Sequence, residues 1–184
     1  LTLRSMKRAR YTTENTGHFG LACAYYCHFT SPIRRYPDLQ IHRIIKDQLR
    51  GRLKEARISH YEEILPEVAK HSSKMERQAD EVERETDKLK KVQYMESRIG
   101  AIFEGVISGI TSWGIYVELE NTIEGMIKVS DLPGDFFYYE EENYEMVGEM
   151  TAKRYKLGER LTVQVKETNR FHRTIDFCIP QEWE

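Results

Sequence analysis

The spacing of apolar positions changes character once along the chain, near residue 100: before it apolar residues recur every three or four positions, and after it they alternate. From Pro37, residues Ile41, Ile44, Ile45 and Leu49 fall at helical spacing, and Gly51 stands where a helix stops. This predicts an amphipathic helix with Arg43, Lys46 and Arg50 on its polar side. A second helical pattern begins near Ser59 in "SHYEEILPEVAKH", with Pro66 expected at a kink or a new first turn. The run "SSKME" reads as a capping box, Ser73 with Glu76, ahead of a long helix to about Arg98. Met75, Ala79, Val82, Thr86, Leu89 and Gln93 form one seam along it, expected to pack on a larger body rather than to make a free coiled coil. Asp80 with Arg84, and Asp87 with Lys91, are spaced to pair on its exposed faces.

Past Gly100, "AIFEGVISGI", "WGIYVELE", "IEGMIKVS", "ERLTVQVKE" and "RTIDFCI" predict five short strands separated by turn signals. Gly105, Gly109, Gly114 and Gly125 stand where a small barrel must bend or let backbones approach. The expected fold class is therefore α+β, a helical part over 1–98 followed by a five-stranded OB-type barrel over 99–184. Between the third and fourth strands lies "LPGDFFYYEEENYEMVGEMTAKRYKLG", too long and too aromatic for a simple turn.

Composition narrows the class. With 184 residues, 40% of them hydrophobic and 32% charged, the chain has material for one large or two small soluble domains. It holds no run of about 18 apolar residues and no signal-peptide pattern, so a cytoplasmic location without membrane contact is expected. The first residue is Leu1 and the opening "LTLRSMKRARY" has no cap or leader, which reads as a piece of something longer. Net charge is only -2, yet residues 1–60 hold 12 Lys/Arg against 4 Asp/Glu, whereas 99–184 hold 8 against 16. A basic first half points to a polyanionic partner. Residues 151–173 return seven basic side chains to the acidic half, Lys153 and Arg154 among them. Three cysteines, Cys23, Cys27 and Cys178, give no disulfide framework. The spacing Cys-x3-Cys-His fits neither a zinc knuckle nor a haem attachment, so Cys23 and Cys27 are expected to be buried in an apolar helix "LACAYYC".

The stretch "HFTSPIRRYPDL" is over-specified for a loop. Ser31 before Pro32 is pushed extended and Pro32 fixes the next φ, so Arg34 and Arg35 leave a rigid turn in a defined direction. Pro37 suits the first turn of the following helix, whose free N–H groups favour anions. A guanidinium held on a stiff segment there makes a phosphate clamp. Arg34 is the expected phosphate contact, while Arg35 is open to a structural role, an ion pair to Asp38 or a neighbour. In the barrel, Trp113 and Tyr116 flank the turn into the second strand, where rings stack bases, and Lys128, Lys153 and Arg154 supply charge. Within Phe136, Phe137, Tyr138 and Tyr139, packing is favoured over stacking.

These residues carry a resemblance. "RSMKRARYTTENTGHFGLACAYYCHFTSPIRRYPDLQIHRIIK" is similar to the closing part of the catalytic (RNB) domain of the ribonuclease II and ribonuclease R family. "HSSKMERQADEVERE" resembles that domain's last helices, and "FEGVISGITSWGIYVELENTIEGMIKVSDLP" its S1 RNA-binding domain. The Arg-Arg-Tyr-Pro-Asp run and "MVGEMTAKR" bring it nearer the ribonuclease R branch. The resemblance implies processive 3′-to-5′ hydrolysis of single-stranded or structured RNA to nucleoside 5′-monophosphates with magnesium, by an enzyme monomeric at full length and without a small-molecule cofactor. It implies that Arg34 contacts the phosphate near the scissile bond, that Arg35, His42 and Arg43 support it or line the RNA channel, and that the barrel grips the strand. The family's metal-binding aspartates lie earlier in its catalytic domain and have no counterpart here, so this chain alone is expected to bind no metal specifically and to be inactive. The S1 pattern usually has Phe at Trp113 and His at Lys128, which weakens the carry-over to Lys128. The alternative is a non-catalytic S1 RNA-binding protein with a helical platform. A self-associating helical scaffold ranks below both.

Overall fold

The computed structural model describes residues 9–180. The chain packs as two compact units, 1–82 and 83–184.

In the first unit, helix α1 (Tyr36–Leu49) starts with Pro37 in its first turn, where a missing N–H costs no intrahelical bond, and gives way at Arg50 and Gly51, the latter at φ 64°. Helix α2 (Glu55–Glu96) is continuous, which corrects the expected break. Pro66 sits inside it, and the carbonyl it leaves without a donor belongs to Glu62, an exposed position open to solvent. Ser73 does not start a helix: its hydroxyl donates back to the Ala69 carbonyl at 2.9 Å and accepts from the Tyr11 N–H at 2.9 Å. The seam is not a buried stripe either, since Met75 and Val82 are exposed. The segment expected as an apolar helix with buried cysteines is irregular, with a 3-10 turn at Phe19–Leu21 and a single bridge from His18 to Cys23. Cys23 and Cys27 are exposed.

What this unit buries is largely polar: Asp38, Gln40 and Ser73 beside Tyr61. Tyr61 and Arg57 both donate to Asp47 Oδ2, at 2.8 Å each, which ties the start of α2 to α1. Tyr11 ties the arginine loop to α2, its hydroxyl lying 2.9 Å from His28 Nδ1 and donating to Glu76 at 3.2 Å. Burial, reinforced by Glu76, pushes the Tyr11 phenol up to about 12. Phe19, Tyr25, Ile33 and Leu49 are exposed.

The second unit holds the five predicted strands, β1 (Ile102–Thr111), β2 (Gly114–Leu119), β3 (Glu124–Lys128), β7 (Arg160–Asn169) and β8 (Thr174–Cys178). They close a barrel in the order β1-β2-β3-β8-β7, antiparallel except for the parallel β3–β8 pair. Alternation sends Ile115, Val117 and Leu119 of β2, Ile127 of β3, Val163 and Val165 of β7, and Ile175 and Phe177 of β8 into the core. A Cβ on Gly114 would lie 2.2 Å from the Ile127 carbonyl oxygen, and one on Gly125 would lie 2.5 Å from the Phe177 ring, so neither position has room for a side chain. Val92 and Met95 at the end of α2 join this core. Within the same unit Glu96 pairs with Arg170 and Glu85 with Arg173.

The insertion forms a second, three-stranded sheet of β4 (Phe137–Glu140), β5 (Glu145–Gly148) and β6 (Arg154–Tyr155). Phe137, Met146 and Tyr155 pack into the barrel core while Phe136 and Tyr138 face out, so packing claims half of the aromatic run. Asp135 closes its base, accepting from the Thr151 hydroxyl at 2.6 Å and from the N–H groups of Thr151 at 2.7 Å and Met150 at 3.1 Å. No helix is long and apolar enough to cross a membrane among the described residues.

Candidate nucleic-acid interface

Two groups of predicted residues remain in play, one in each unit. In the first, residues 32–34 make the turn that the two prolines frame. The Ser31 carbonyl accepts from the N–H groups of Arg34 (3.3 Å) and Arg35 (3.0 Å), closing the turn immediately before α1. Arg35 is taken up by Asp38, to which it donates through Nε at 3.1 Å and Nη2 at 2.8 Å. Desolvation raises the Asp38 carboxyl, and the Ser31 N–H and the Arg35 guanidinium outweigh it, leaving the group below the usual carboxylate range. Arg34 is exposed, and its guanidinium has no partner among the described residues. His42 stacks on Phe29 with centroids 4.3 Å apart, its Nε2 lying 2.8 Å from the Phe29 carbonyl oxygen, so it buttresses the loop. Arg43 lies over the exposed ring of Tyr36, 5.8 Å from its centroid.

In the second unit the structure brings Trp113, Tyr116 and Lys128 together. Trp113 sits in the β1–β2 turn with 77% of its surface exposed. Its carbonyl accepts from Val129 N–H at 3.1 Å, which holds the turn against the end of β3. Gly114 pairs with Lys128 and Tyr116 with Met126, so Tyr116 and Lys128 lie on the outer face, opposite the buried Ile115 and Ile127. Tyr116 lies over Gly109, its partner across the β1–β2 pair. Lys128 Nζ donates to Asp176 Oδ2 at 2.5 Å, and this bond raises its pKa. Beside it Lys166 donates to Asp131 at 2.8 Å. The face thus offers rings and two ammonium groups, each already facing a carboxylate. Sequence reasoning missed Asp176, Lys166 and Asp131. The signal for Asp176 was its parity between the inward Ile175 and Phe177.

Lys153 and Arg154 are elsewhere, on the insertion, whose strands pair with none of the barrel. Arg154 bridges Glu140 at 3.0 Å and Glu145 at 2.7 Å, and Lys153 lies 4.9 Å from the centroid of the Tyr155 ring. Among the described residues no three His, Cys, Asp or Glu side chains converge as metal ligands would. These residues therefore do not fit a magnesium site.

Residues 1–51 match the RNB domain, and residues 96–179 match the S1 RNA binding domain. Ribonuclease R 1 of Lactococcus lactis is 45% identical over 183 residues, which cover 99% of this chain and 22% of that protein. Ribonuclease R of Thermotoga maritima is 42% identical over 187 residues, covering 100% of this chain and 26% of that protein. The chain thus spans about a quarter of the length of the curated relatives it matches. Among solved structures, Mycoplasma genitalium RNase R matches at 31% identity with a TM-score of 0.86, over 97% of this chain and 28% of that one, both in its apo form and in complex with ribose methylated single-stranded RNA. An RNB match that carries the arginine turn, an S1 match that carries the barrel, and relatives aligned over nearly all of it make the chain similar throughout to the C-terminal region of ribonuclease R.

Proposed function

We propose that this chain is the RNA-holding C-terminal part of a processive 3′-to-5′ exoribonuclease that degrades single-stranded and structured RNA to nucleoside 5′-monophosphates. The observation that carries the proposal is Arg34, a guanidinium without a partner among the described residues, on a turn fixed at both flanks. A cation in that setting meets a phosphate without first reorganising, and stabilises the charge that develops on it during cleavage. On the barrel, Trp113 and Tyr116 stack bases while Lys128 meets the backbone. Arg43 extends the cationic side of the arginine site, and Arg35 and His42 act by holding the loop. Lys153 and Arg154 give the insertion a weaker electrostatic contribution, since Arg154 is already neutralised. The complex of the Mycoplasma genitalium relative with single-stranded RNA supports RNA as the ligand.

In this reading magnesium would supply Lewis-acid assistance at the scissile phosphate of the whole enzyme, and would be held by residues that are not among those described. The whole enzyme works as a monomer in the cytoplasm. The test pairs binding with turnover. The chain should bind 5′-labelled oligo(U), lose affinity as salt rises, and release no mononucleotide when magnesium is added. Failure to bind removes the proposal, and magnesium-dependent release of mononucleotides by this chain overturns the placement of the metal ligands outside it.

A further inference from the structure

Asp38 is the third residue of α1, fully buried, and one of its oxygens organises the whole turn before the helix. Oδ2 accepts from Ser31 N–H at 2.8 Å and from two nitrogens of Arg35. The Ser31 carbonyl in turn accepts the N–H groups of Arg34 and Arg35. The residues on both sides of Arg34 are therefore anchored on a single carboxylate oxygen, with Pro32 limiting the backbone between them. The other oxygen, Oδ1, is buried with no hydrogen-bond partner among the described residues.

A buried carboxylate with one unsatisfied oxygen is a poor choice for stability alone, because an apolar residue of similar size avoids its desolvation. What the carboxylate provides that an apolar residue does not is discrimination between two adjacent arginines. It ties down Arg35 and fixes the direction in which Arg34 leaves the turn. We propose that Asp38 is the positioning residue of the arginine site: it withdraws Arg35 from the ligand and presents Arg34 alone, so that the turn engages one phosphate rather than two. This rests on the reading of Arg34 as the phosphate contact.

Fluorescence anisotropy of this chain with 5′-labelled oligo(U), over a salt series, tests it. Arg34→Ala is expected to bind about tenfold more weakly, the scale of one charge-assisted hydrogen bond. The slope of log affinity against log salt should flatten by about 0.7, one phosphate contact on a single strand. Asp38→Asn is expected to free Arg35 for a second phosphate and so to steepen that slope by about 0.7, and the Arg34→Ala/Asp38→Asn double variant to return it to the parental value. A slope that Asp38→Asn leaves unchanged or flattens overturns the positioning role while leaving Arg34 in place. No effect of Arg34→Ala removes the phosphate reading and the inference together. Should Asp38→Asn not fold, the unmodified chain decides by NMR. On RNA addition the Arg34 Nε–H resonance should move while that of Arg35 stays, and equal movement of both overturns the proposal.

Discussion

Replacing Asp176 with asparagine should strengthen RNA binding, although it removes an ion pair. Lys128 ends β3 with its side chain about half exposed, and its ammonium is already held by Asp176 Oδ2 at 2.5 Å. A phosphate approaching the barrel face must compete with that carboxylate. The hydrogen bond to Asp176 raises the lysine's pKa, and without it the group is still a cation at neutral pH, so the substitution changes its partner and not its charge. One added phosphate contact steepens the salt dependence for a single strand by about 0.7 in slope. Between about 50 and 200 mM salt the advantage of Asp176→Asn over the parent should therefore shrink by about 2.6-fold. The barrel is expected to fold unchanged, because β8 is buried through Ile175 and Phe177, not through the outward Asp176. Anisotropy with labelled oligo(U) at several salt concentrations measures both the affinity and the slope. Parallel salt lines for parent and variant, or weaker binding by the variant at low salt, would show that this face does not carry the strand.

Trp113→Ala should cost about 1–3 kcal/mol of affinity, the worth of one stacked base. Its thermal midpoint should stay put because the ring is exposed, so a fall in the midpoint would assign the ring to structure instead. Acidification should open the base of the insertion late. The Thr151 hydroxyl and N–H, with the Met150 and Phe136 N–H groups, hold the Asp135 carboxyl down to about 2, below its ordinary 3.8. A depressed folded-state pKa stabilises fully above the ordinary value and loses that contribution as pH falls through about 2. The amide signals of Met150 and Thr151 should follow that lower transition, and a midpoint at the ordinary value would contradict the hydrogen-bond set.

The barrel was legible because each of its strands separates two environments. In β2 the residues Ile115, Val117 and Leu119 are buried while Glu118 between them is exposed, and a period of two survives in the sequence. The continuity of α2 was not legible, since Pro66 and the Ser73–Glu76 spacing are local signals that fit a helix start and a helix interior equally. What decides for Ser73 is a hydrogen bond from Tyr11, 62 residues away. "LACAYYC" is apolar without a helical period, and Ala22 at φ 52° shows the backbone turning there rather than winding on. In the site, the prolines and arginines of the turn announced themselves by their spacing, and the link between Arg35 and Asp38 followed from proximity in sequence. The Lys128–Asp176 pair depends on the parallel register that sets Met126 beside Asp176, strands that sequence alone does not align.

In both units a carboxylate holds a cation of the proposed site: Asp38 holds Arg35, and Asp176 holds Lys128. For a protein that only had to hold RNA, this arrangement would waste affinity. Under the proposed function the strand advances by one nucleotide per turnover, and each phosphate contact must then be broken and remade every cycle. Binding that is equally strong at every register slows that exchange without lowering the barrier to cleavage. Carboxylates that compete with phosphate weaken each contact while keeping its geometry. The side chains left free act on features common to all nucleotides, a guanidinium on phosphate and rings on base faces, so their strength does not depend on which base has arrived. On that proposal the acid beside Lys128 keeps the strand mobile, and Arg34, a guanidinium with no such partner among the described residues, is the contact held at full strength.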